Sequence, residues 1–224
     1  MKIVILAAGE GRRMRPLTLE TPKPLLRFKG KTVLDHTFEA LPPEISEAVI
    51  VVNYLGDKIK HYCGSNFHDR PVSYVQGQTK GTGFDLLSAR DQIAPGERFA
   101  IAYADEIFSA ASLAKCLEHE YSWLCFPVSP ERARQSGIPT IDGAGKIIGV
   151  IEKPANPAGN VVLDGLLVVN SDIFSCEPVS DARGEYYLTD MMSGFIKNYD
   201  VYAVIGSAQP PLTSPADLER LNYD

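Results

Sequence analysis

The segment from residue 2 to residue 31 constrains this chain more than any other part of its sequence. A short apolar run at residues 2–8 leads directly into the turn Gly9-Glu10-Gly11. A strand that ends in small residues and a flexible turn lets backbone amides approach an anion closely. Residues 10–31 carry seven basic and two acidic side chains, whereas the whole chain has a net charge of −6. Local positive charge in an acidic protein favours a polyphosphate site over a nucleic-acid surface.

The length and composition indicate one soluble globular domain over residues 1–224. A chain of 224 residues with 45% hydrophobic content is long enough to build a sizeable core. Its four cysteines form no CxxC pair, so a zinc site is not expected. No apolar stretch approaches the roughly 20 residues of a membrane helix, and the first apolar run is too short for a signal peptide. We therefore expect a cytoplasmic protein that binds neither membranes nor nucleic acid.

Apolar runs alternate with helical patterns along most of the chain. Strands are predicted at residues 3–8, 48–53, 72–75, 99–103, 123–128, 147–151, 161–169 and 201–205. Helices are predicted at about residues 32–41, 55–63, 81–92, 110–120, 187–198 and 215–222. Several strands are continuously apolar, as in sheets that are covered on both faces. The pattern predicts a three-layer αβα, Rossmann-like fold with a mixed, mainly parallel sheet, whose ligands bind beyond the carboxyl ends of the strands.

The sequence changes character after about residue 130. The glycine-rich run from Ile138 to Lys146 predicts a β-hairpin, and a proline-rich connection follows. We interpret residues 130–170 as an elaboration of the single domain that covers the acceptor side of its pocket.

Two candidate phosphate-binding cations and one candidate metal ligand follow the predicted strand ends. Pro22 and Pro24 stiffen the backbone around Lys23 and so fix the position of its ammonium group. Arg13 adds a guanidinium beside the glycine turn. Asp105 ends an apolar strand, where a carboxylate can hold Mg²⁺ against phosphates. Taken singly, these features also suit a plain tight turn or a helix N-cap.

Two further segments carry polar groups that suit a base and a sugar. The run from Gln76 to Gly83 lies between a strand and a helix, and a glutamine amide offers one donor side and one acceptor side to a base edge. Glu152-Lys153 pairs a carboxylate, which suits sugar hydroxyls, with an ammonium, which suits a phosphate. Taken alone, such a pair is equally common on ordinary surfaces.

Taken together, these motifs resemble those of the sugar-1-phosphate nucleotidyltransferases, the NDP-sugar pyrophosphorylase family. The resemblance is carried mainly by the run from Leu6 to Thr18 and by Pro22-Lys23-Pro24-Leu25. Weaker matches extend it over most of the chain, at Gly81-Thr82-Gly83, Asp105, Glu152-Lys153-Pro154, Asp164-Gly165 and Gly184-Glu185-Tyr186-Tyr187-Leu188-Thr189-Asp190.

The resemblance implies a role for each matching residue. Arg13 is expected to bind the β- and γ-phosphates, Lys23 the α-phosphate, and Asp105 a Mg²⁺ ion. The expected nucleotide-binding residues are Leu6, Ala8, Gly9, Gly11, Gln76, Gly81 and Thr82, with Gln76 and Gly81 at the base. The expected acceptor-binding residues are Gly137, Glu152 and Gly165 around the sugar, and Lys153 at its phosphate.

The implied reaction is transfer of a nucleotidyl group from a nucleoside triphosphate to a sugar 1-phosphate, with release of pyrophosphate. The two-sided amide of Gln76 favours UTP or dTTP without deciding the base. Positioning and charge stabilisation would carry the rate, with no protein nucleophile. The sequence identifies neither the sugar nor the oligomeric state, and it is compatible with a homo-oligomer.

One departure from the family pattern keeps other functions open. The family has a second metal-binding Asp or Asn near the C-terminus. Pro211 aligns with this position in the present chain, and a proline side chain cannot bind a metal ion. A non-catalytic nucleotide-binding protein is therefore one alternative. A nucleotidyltransferase for a non-sugar phosphate such as phosphocholine is another, and glycosyl transfer from a nucleotide sugar is a third.

Overall fold

A computed structural model describes residues 1–78, 80–180, 184–207 and 212–223 of the chain. Within these ranges, the strands are β1 (Lys2–Ala7), β2 (Arg27–Phe28), β3 (Lys31–Thr32), β4 (Glu47–Val52), β5 (Asn66–Phe67), β6 (Arg70–Gln76), β7 (Arg98–Tyr103), β8 (Tyr121–Pro127), β9 (Gly137–Ile141), β10 (Ile147–Glu152), β11 (Val161–Asn170) and β12 (Val201–Ile205). The α-helices of the same ranges are α1 (Val33–Glu39), α2 (Gly56–Cys63), α3 (Thr82–Ser88), α4 (Ala110–Leu117), α5 (Pro130–Ala133), α6 (Leu188–Phe195) and α7 (Pro215–Tyr223).

Eight of the described strands form the central sheet, in the order β12-β8-β11-β7-β1-β4-β6-β5. β1 lies between β4 and β7 and pairs in parallel with both. β11 is inserted between β7 and β8 and pairs antiparallel with each. Among the strands of this sheet, β5 and β11 run against the rest. The predicted mixed, mainly parallel sheet is therefore confirmed.

The apolar strands bury side chains on both faces of the sheet. Alternate residues of β1 point to opposite sides, because successive side chains of a strand alternate. Ile3 and Ile5 pack in one core with residues of α1, α2 and α4. Val4 and Leu6 pack in a second core with residues of α3 and α6. Two cores on either side of one sheet make the three-layer αβα architecture that the alternation of strands and helices predicts.

The residues that the sequence suggests as an elaboration, 130–170, divide in the fold between a hairpin and the central sheet. β9 and β10 form the predicted hairpin, an antiparallel pair outside the central sheet. Residues 161–170, however, form β11, an almost wholly buried strand inside the main sheet. Because a continuously apolar run fits any fully covered strand, its sequence could not distinguish a place in the sheet from a place beside the hairpin.

None of the described helices combines the length and the apolar character needed to cross a bilayer.

Candidate functional site

A cleft of about 540 Å³ opens where β1 and β7 end. Its walls come from the glycine turn that follows β1, from the start of α3, from the β9–β10 hairpin and from the segment that leads into α6. Because β1 and β7 are adjacent and parallel, their carboxyl ends meet at one edge, and the segments that follow them face each other.

Thirteen of the fourteen candidate site residues line this cleft. They are Leu6, Ala8, Gly9, Gly11, Arg13, Lys23, Gly81, Thr82, Asp105, Gly137, Glu152, Lys153 and Gly165. The exception is Gln76, which ends β6 with an exposed side chain outside the lining. The sequence places Gln76 correctly at a strand end but does not show which way its side chain points. Its role at the base stays a prediction.

Gly11 gives the first loop its shape. Its φ of 61° lies in the left-handed region, which residues other than glycine adopt rarely. Its carbonyl accepts hydrogen bonds from the Met14 N–H at 2.8 Å and from Thr18 Oγ1 at 2.9 Å. A Cβ at Gly11 would lie 3.0 Å from Thr18 Cγ2, so space is also tight. The turn thus requires glycine, and Arg12 and Arg13, which follow it, line the cleft.

Arg13 differs from its two neighbouring arginines in its partners. Glu10 accepts from Arg12 Nε at 2.8 Å and lies 3.2 Å from a nitrogen of Arg15. Arg13 lines the cleft, and it makes no ion pair or side-chain hydrogen bond with any residue that the structure describes. An exposed guanidinium without an internal partner keeps its full donor set for an anion.

Lys23 and Asp105, which both line the cleft, form an ion pair. Lys23 Nζ lies 2.8 Å from Asp105 Oδ2, with 9% of the Lys23 side chain and 41% of the Asp105 side chain exposed. Burial alone raises the pKa of Asp105, but the charge and hydrogen bond of Lys23 and the charge of Arg13 outweigh it and lower that pKa. Asp105 is therefore an ionised, solvent-accessible carboxylate beside two cations.

Glu106, which follows Asp105, links β7 to β11. Glu106 Oε2 accepts from the Gly165 N–H at 2.6 Å, and its carboxyl is hydrogen-bonded to Asp164. Burial and the charge of Asp164 raise the pKa of Glu106 well above its ordinary value. A Cβ at Gly165 would lie 2.6 Å from Tyr103 Cβ, so only glycine lets β11 pass this close to β7. These contacts fix the floor of the cleft.

The candidate base side is built from close backbone contacts. A Cβ at Gly81, whose φ is +108°, would lie 2.7 Å from the backbone nitrogen of Tyr186. Thr82 Oγ1 accepts from the Leu188 N–H at 3.0 Å. The buried carboxylate of Asp85 accepts from the Gln78 N–H at 3.1 Å. The start of α3 is thereby held against the segment that leads into α6.

The candidate acceptor side contains a residue that the sequence analysis missed. Thr189 lines the cleft and is 8% exposed, and its hydroxyl is buried without a hydrogen-bond partner in the described structure. A Cβ at Gly137 would lie 3.2 Å from Glu152 Oε2 and 3.3 Å from Thr189 Cγ2, so these three residues surround one small space. Thr189 belongs to the Gly184–Asp190 run, which carried the resemblance without a role for any one residue.

The Lys153 side chain lies close to Glu152 and Tyr187. Its Nζ is 3.1 Å from Glu152 Oε1 and 4.3 Å from the centroid of the Tyr187 ring. Its backbone has a φ of 43°, a conformation that is uncommon for a residue other than glycine. The end of β10 therefore presents a positioned ammonium to the cleft.

The residues present fit a magnesium ion that is bound partly by substrate. No group of three or more His, Cys, Asp and Glu side chains in the described ranges is arranged to hold a metal by itself. Mg²⁺ commonly takes one or two protein carboxylates together with phosphate oxygens and waters. Asp105 is half-exposed, and one of its oxygens contacts Lys23, so it can supply one such ligand. Pro211 lies outside the described residues.

Comparison with known proteins identifies the family. Residues 2–209 match the model of the nucleotidyl transferase family. The chain belongs to this family. It is 32% identical over 208 residues to the UTP–glucose-1-phosphate uridylyltransferase AglF of Haloferax volcanii, with 88% of this chain and 84% of that protein covered. The family predicted from the sequence motifs, the sugar-1-phosphate nucleotidyltransferases, is therefore confirmed.

Two other matches define the extent of the likeness. The bifunctional protein GlmU of Methanocaldococcus jannaschii is 31% identical over 207 residues, covering 91% of this chain and 49% of that protein. The chain thus spans about half the length of this relative. The crystal structure of a UDP-glucose pyrophosphorylase complexed with UDP-glucose superimposes with a TM-score of 0.86 at 20% identity, covering 99% of this chain and 97% of the other. At that identity the match supports the fold alone.

Proposed function

We propose that this protein transfers a nucleotidyl group from a nucleoside triphosphate to a sugar 1-phosphate and releases pyrophosphate. The observation that carries the proposal is that one cleft is lined by Arg13, which has no ion-pair partner among the described residues, by the Lys23–Asp105 pair, and by Glu152 and Thr189. The first group suits a triphosphate and the second suits a hydroxylated acceptor.

The reaction needs positioned charge rather than a protein nucleophile. An oxygen of the acceptor phosphate attacks the α-phosphorus in line, and the bond from that phosphorus to the bridging oxygen breaks. Lys23 is proposed to hold the α-phosphate and Arg13 the β- and γ-phosphates, where negative charge accumulates. The glycine turn after β1 lets backbone N–H groups approach the same phosphates.

Asp105 is proposed to hold Mg²⁺ together with the phosphates. A bound divalent cation supplies neutralisation of phosphate charge. The depressed pKa of Asp105 keeps it ionised near neutral pH, as a metal ligand requires. Phosphates that bind Lys23 replace Asp105 as its partner, which leaves the carboxylate available to the cation.

The acceptor side supports a sugar phosphate over phosphocholine. The unpartnered hydroxyl of Thr189 and the carboxylate of Glu152 suit hydroxyl groups. A quaternary ammonium is usually held by open aromatic faces. The rings that line the described cleft do not offer open faces, since Trp123 is buried and the Lys153 ammonium lies over Tyr187. Tyr103 packs against Gly165.

The base is proposed to be uracil or thymine. The name of the Haloferax relative, a UTP–glucose-1-phosphate uridylyltransferase, supports uridine. Gly81 and Thr82 are proposed to face the base and its ribose, and Gln76 would join them on ligand binding.

A matrix of substrates tests the proposal. Purified protein with MgCl₂ is incubated with each of UTP, dTTP, CTP, ATP and GTP against glucose 1-phosphate, N-acetylglucosamine 1-phosphate and phosphocholine, and pyrophosphate release is measured. We expect release with a uridine or thymidine triphosphate and a sugar 1-phosphate, and its loss in Asp105→Ala. Pyrophosphate release with phosphocholine but with no sugar 1-phosphate would show that the acceptor is a non-sugar phosphate. Nucleotide binding by calorimetry without release from any pair would favour a non-catalytic binding protein.

A further inference from the structure

Two segments that contribute to the lining of the cleft are bonded to each other. Residues 80–83 run into α3 on the candidate base side, and residues 186–189 run into α6 on the candidate acceptor side. The Tyr186 N–H donates to the Lys80 carbonyl at 2.9 Å, and the Tyr186 carbonyl accepts from the Gly83 N–H at the same distance. These two backbone hydrogen bonds hold the segments side by side.

A side-chain hydrogen bond joins the same two segments. Thr82 Oγ1 accepts from the Leu188 N–H at 3.0 Å, across 106 positions of the chain. Leu188 is the first residue of α6, and the first four N–H groups of a helix have no partner within it. Tyr187, which precedes it, makes no side-chain cap hydrogen bond. The Thr82 hydroxyl therefore caps α6 from a distant segment.

Leu188 lies between two side chains of the candidate acceptor side. Tyr187 precedes it, and the Lys153 ammonium lies 4.3 Å from the centroid of the Tyr187 ring. Thr189 follows it, with a buried hydroxyl that has no hydrogen-bond partner in the described structure. Leu188 itself is buried in the apolar core. A hydrogen bond at its N–H therefore fixes the backbone from which both neighbouring side chains extend.

Two explanations fit the Thr82 hydroxyl. The resemblance to the family places Thr82 among the nucleotide-binding residues, so the hydroxyl could bind the nucleotide directly. The observed partner of Oγ1, however, is a backbone N–H of the acceptor side. Gly81, which has no side chain, also lines the cleft, so this segment can approach a nucleotide by its backbone. The backbone and the side chain of Thr82 can therefore serve different substrates.

We propose that Thr82 is a positioning residue for the acceptor; this inference rests on the proposed function. Its hydroxyl holds Leu188 in place and thereby positions the side chain of Thr189, together with that of Tyr187, for the sugar phosphate. Its backbone serves the nucleotide. A side chain from the base side of the cleft thus shapes the sugar side.

Three variants test this role, with UTP and glucose 1-phosphate as substrates. Thr82→Val removes the hydroxyl and keeps a branched side chain, whereas Thr82→Ser keeps the hydroxyl. Ser88→Ala is the matched control, because it removes a hydroxyl of α3 that donates to the Phe84 carbonyl and lies outside the lining of the cleft. We expect Thr82→Val to raise the KM for glucose 1-phosphate about tenfold, by the value of one hydrogen bond. Its Kd for UTP, measured by calorimetry without acceptor, should stay within about twofold, and the other two variants should retain both wild-type values.

The kinetic and thermal data separate this role from two others. A Kd for UTP that rises as much as the KM would show that the hydroxyl binds the nucleotide, and it would overturn the proposal. An unchanged KM, whether or not thermal unfolding gives a lower Tm, would also overturn it. If Thr82→Val does not fold, Thr82→Ala removes the same hydroxyl with a residue of high helix propensity.

A double-mutant cycle tests whether Thr82 acts through Thr189. Thr189→Val removes the hydroxyl that Thr82 is proposed to position. Residues that act through each other are not additive, so Thr82→Val should raise the KM less than about threefold in the Thr189→Val background. A full tenfold rise in that background would overturn the proposal.

Failure of this inference can be distinguished from failure of the proposed function. A wild-type enzyme that turns over, with a KM for the sugar phosphate insensitive to Thr82→Val, contradicts the inference alone. Calorimetry with glucose 1-phosphate does not require turnover. If wild type binds glucose 1-phosphate without releasing pyrophosphate from any substrate pair, and Thr82→Val weakens that binding, the proposed function fails and the positioning role is supported. Absence of both turnover and binding contradicts both.

Discussion

Lys23 Nζ and Asp105 Oδ2 lie 2.8 Å apart, although 82 residues separate them in the chain. The two residues follow β1 and β7, which are neighbours in the sheet. In the free protein each is the other's partner. In the proposed complex with substrate, each side chain has a new partner, since Lys23 contacts a phosphate and Asp105 contacts a cation. The pair therefore holds both side chains in place until the charged substrate arrives.

Lys23→Ala is expected to reduce both activity and stability. Losing one electrostatic donor at the reacting phosphate should lower kcat/KM by about 10²- to 10³-fold. Removing the partner of Asp105, which is 41% exposed, should cost about 1 kcal/mol of unfolding free energy. Pyrophosphate-release kinetics and urea denaturation measure the two effects. Lys115→Ala, which removes an exposed ammonium from α4, is the control and should change neither. Unchanged kcat/KM in Lys23→Ala would contradict the proposed role.

Arg13 and Arg12 should differ sharply despite being adjacent. Arg13→Ala removes the guanidinium that has no partner in the described structure, and we expect kcat/KM for the triphosphate to fall about 10- to 100-fold. Arg12→Ala removes a guanidinium that Glu10 already engages, with an expected change below about threefold. Steady-state kinetics with varied triphosphate measures both variants. Equal reductions of kcat/KM in the two variants would show that pairing with Glu10 does not keep Arg12 from binding the triphosphate.

Thr189→Val should weaken acceptor binding without destabilising the protein. The buried hydroxyl has no described partner, and replacing it with a methyl group removes its desolvation penalty of about 1–3 kcal/mol. Thermal unfolding should therefore give an unchanged or higher Tm. If the hydroxyl bonds to the sugar, the KM for the sugar phosphate should rise about tenfold, and Thr189→Ser should retain the wild-type KM. A lower Tm with an unchanged KM would assign Thr189 to the core alone.

Gly165→Ala should destabilise the fold at the floor of the cleft. The added methyl would lie 2.6 Å from Tyr103 Cβ, too close for two carbon atoms, so β7 and β11 would have to separate. Overpacking of this kind costs about 1–3 kcal/mol. Urea denaturation measures the loss. Gly159→Ala is the matched control, because a Cβ there meets nothing within 4 Å. Equal free energies of unfolding for the two variants would show that β7 and β11 can separate to accept the methyl group without a measurable cost.

Asp35, which does not line the cleft, should make the free energy of unfolding depend on pH. Burial raises its pKa, but hydrogen bonds from His68, Tyr62 and Thr32 outweigh this and lower the pKa from 3.8 to about 2. A carboxyl whose pKa is lower in the folded state stabilises fully above its unfolded pKa, and this contribution is lost as the pH falls through the folded pKa. Asp35 should therefore contribute about 2 kcal/mol above about pH 4, declining toward pH 2.

Urea denaturation of wild type and Asp35→Asn from pH 7 to pH 3 measures this contribution. The stability difference between them should be constant down to about pH 4 and shrink below it. Asp57→Asn serves as the control, because 98% of the Asp57 side chain is exposed. A difference that stays constant to pH 3 would contradict the lowered pKa.

The sequence by itself determined the αβα fold, the order of its elements and the segments that form the cleft. Short continuous apolar runs that alternate with helical patterns are typical of strands covered on both faces. The glycines, arginines and lysine that follow β1 indicate an anion site by their residue types alone. The candidate residues that follow β1 and β7 line the cleft because the carboxyl ends of these neighbouring parallel strands meet at one edge.

The tertiary structure decided what depends on contacts between distant segments. It inserted β11 between β7 and β8, although its apolar run fits any buried strand. It showed the outward side chain of Gln76 and the unpartnered hydroxyl of Thr189. The opening segment contains Arg12, Arg13 and Arg15, and only the folded structure shows that Glu10 pairs with Arg12 and Arg15 while Arg13 has no ion-pair partner among the described residues. Residue types fix which chemistry is possible, whereas burial and partners, which are properties of the folded chain, fix which groups can perform it.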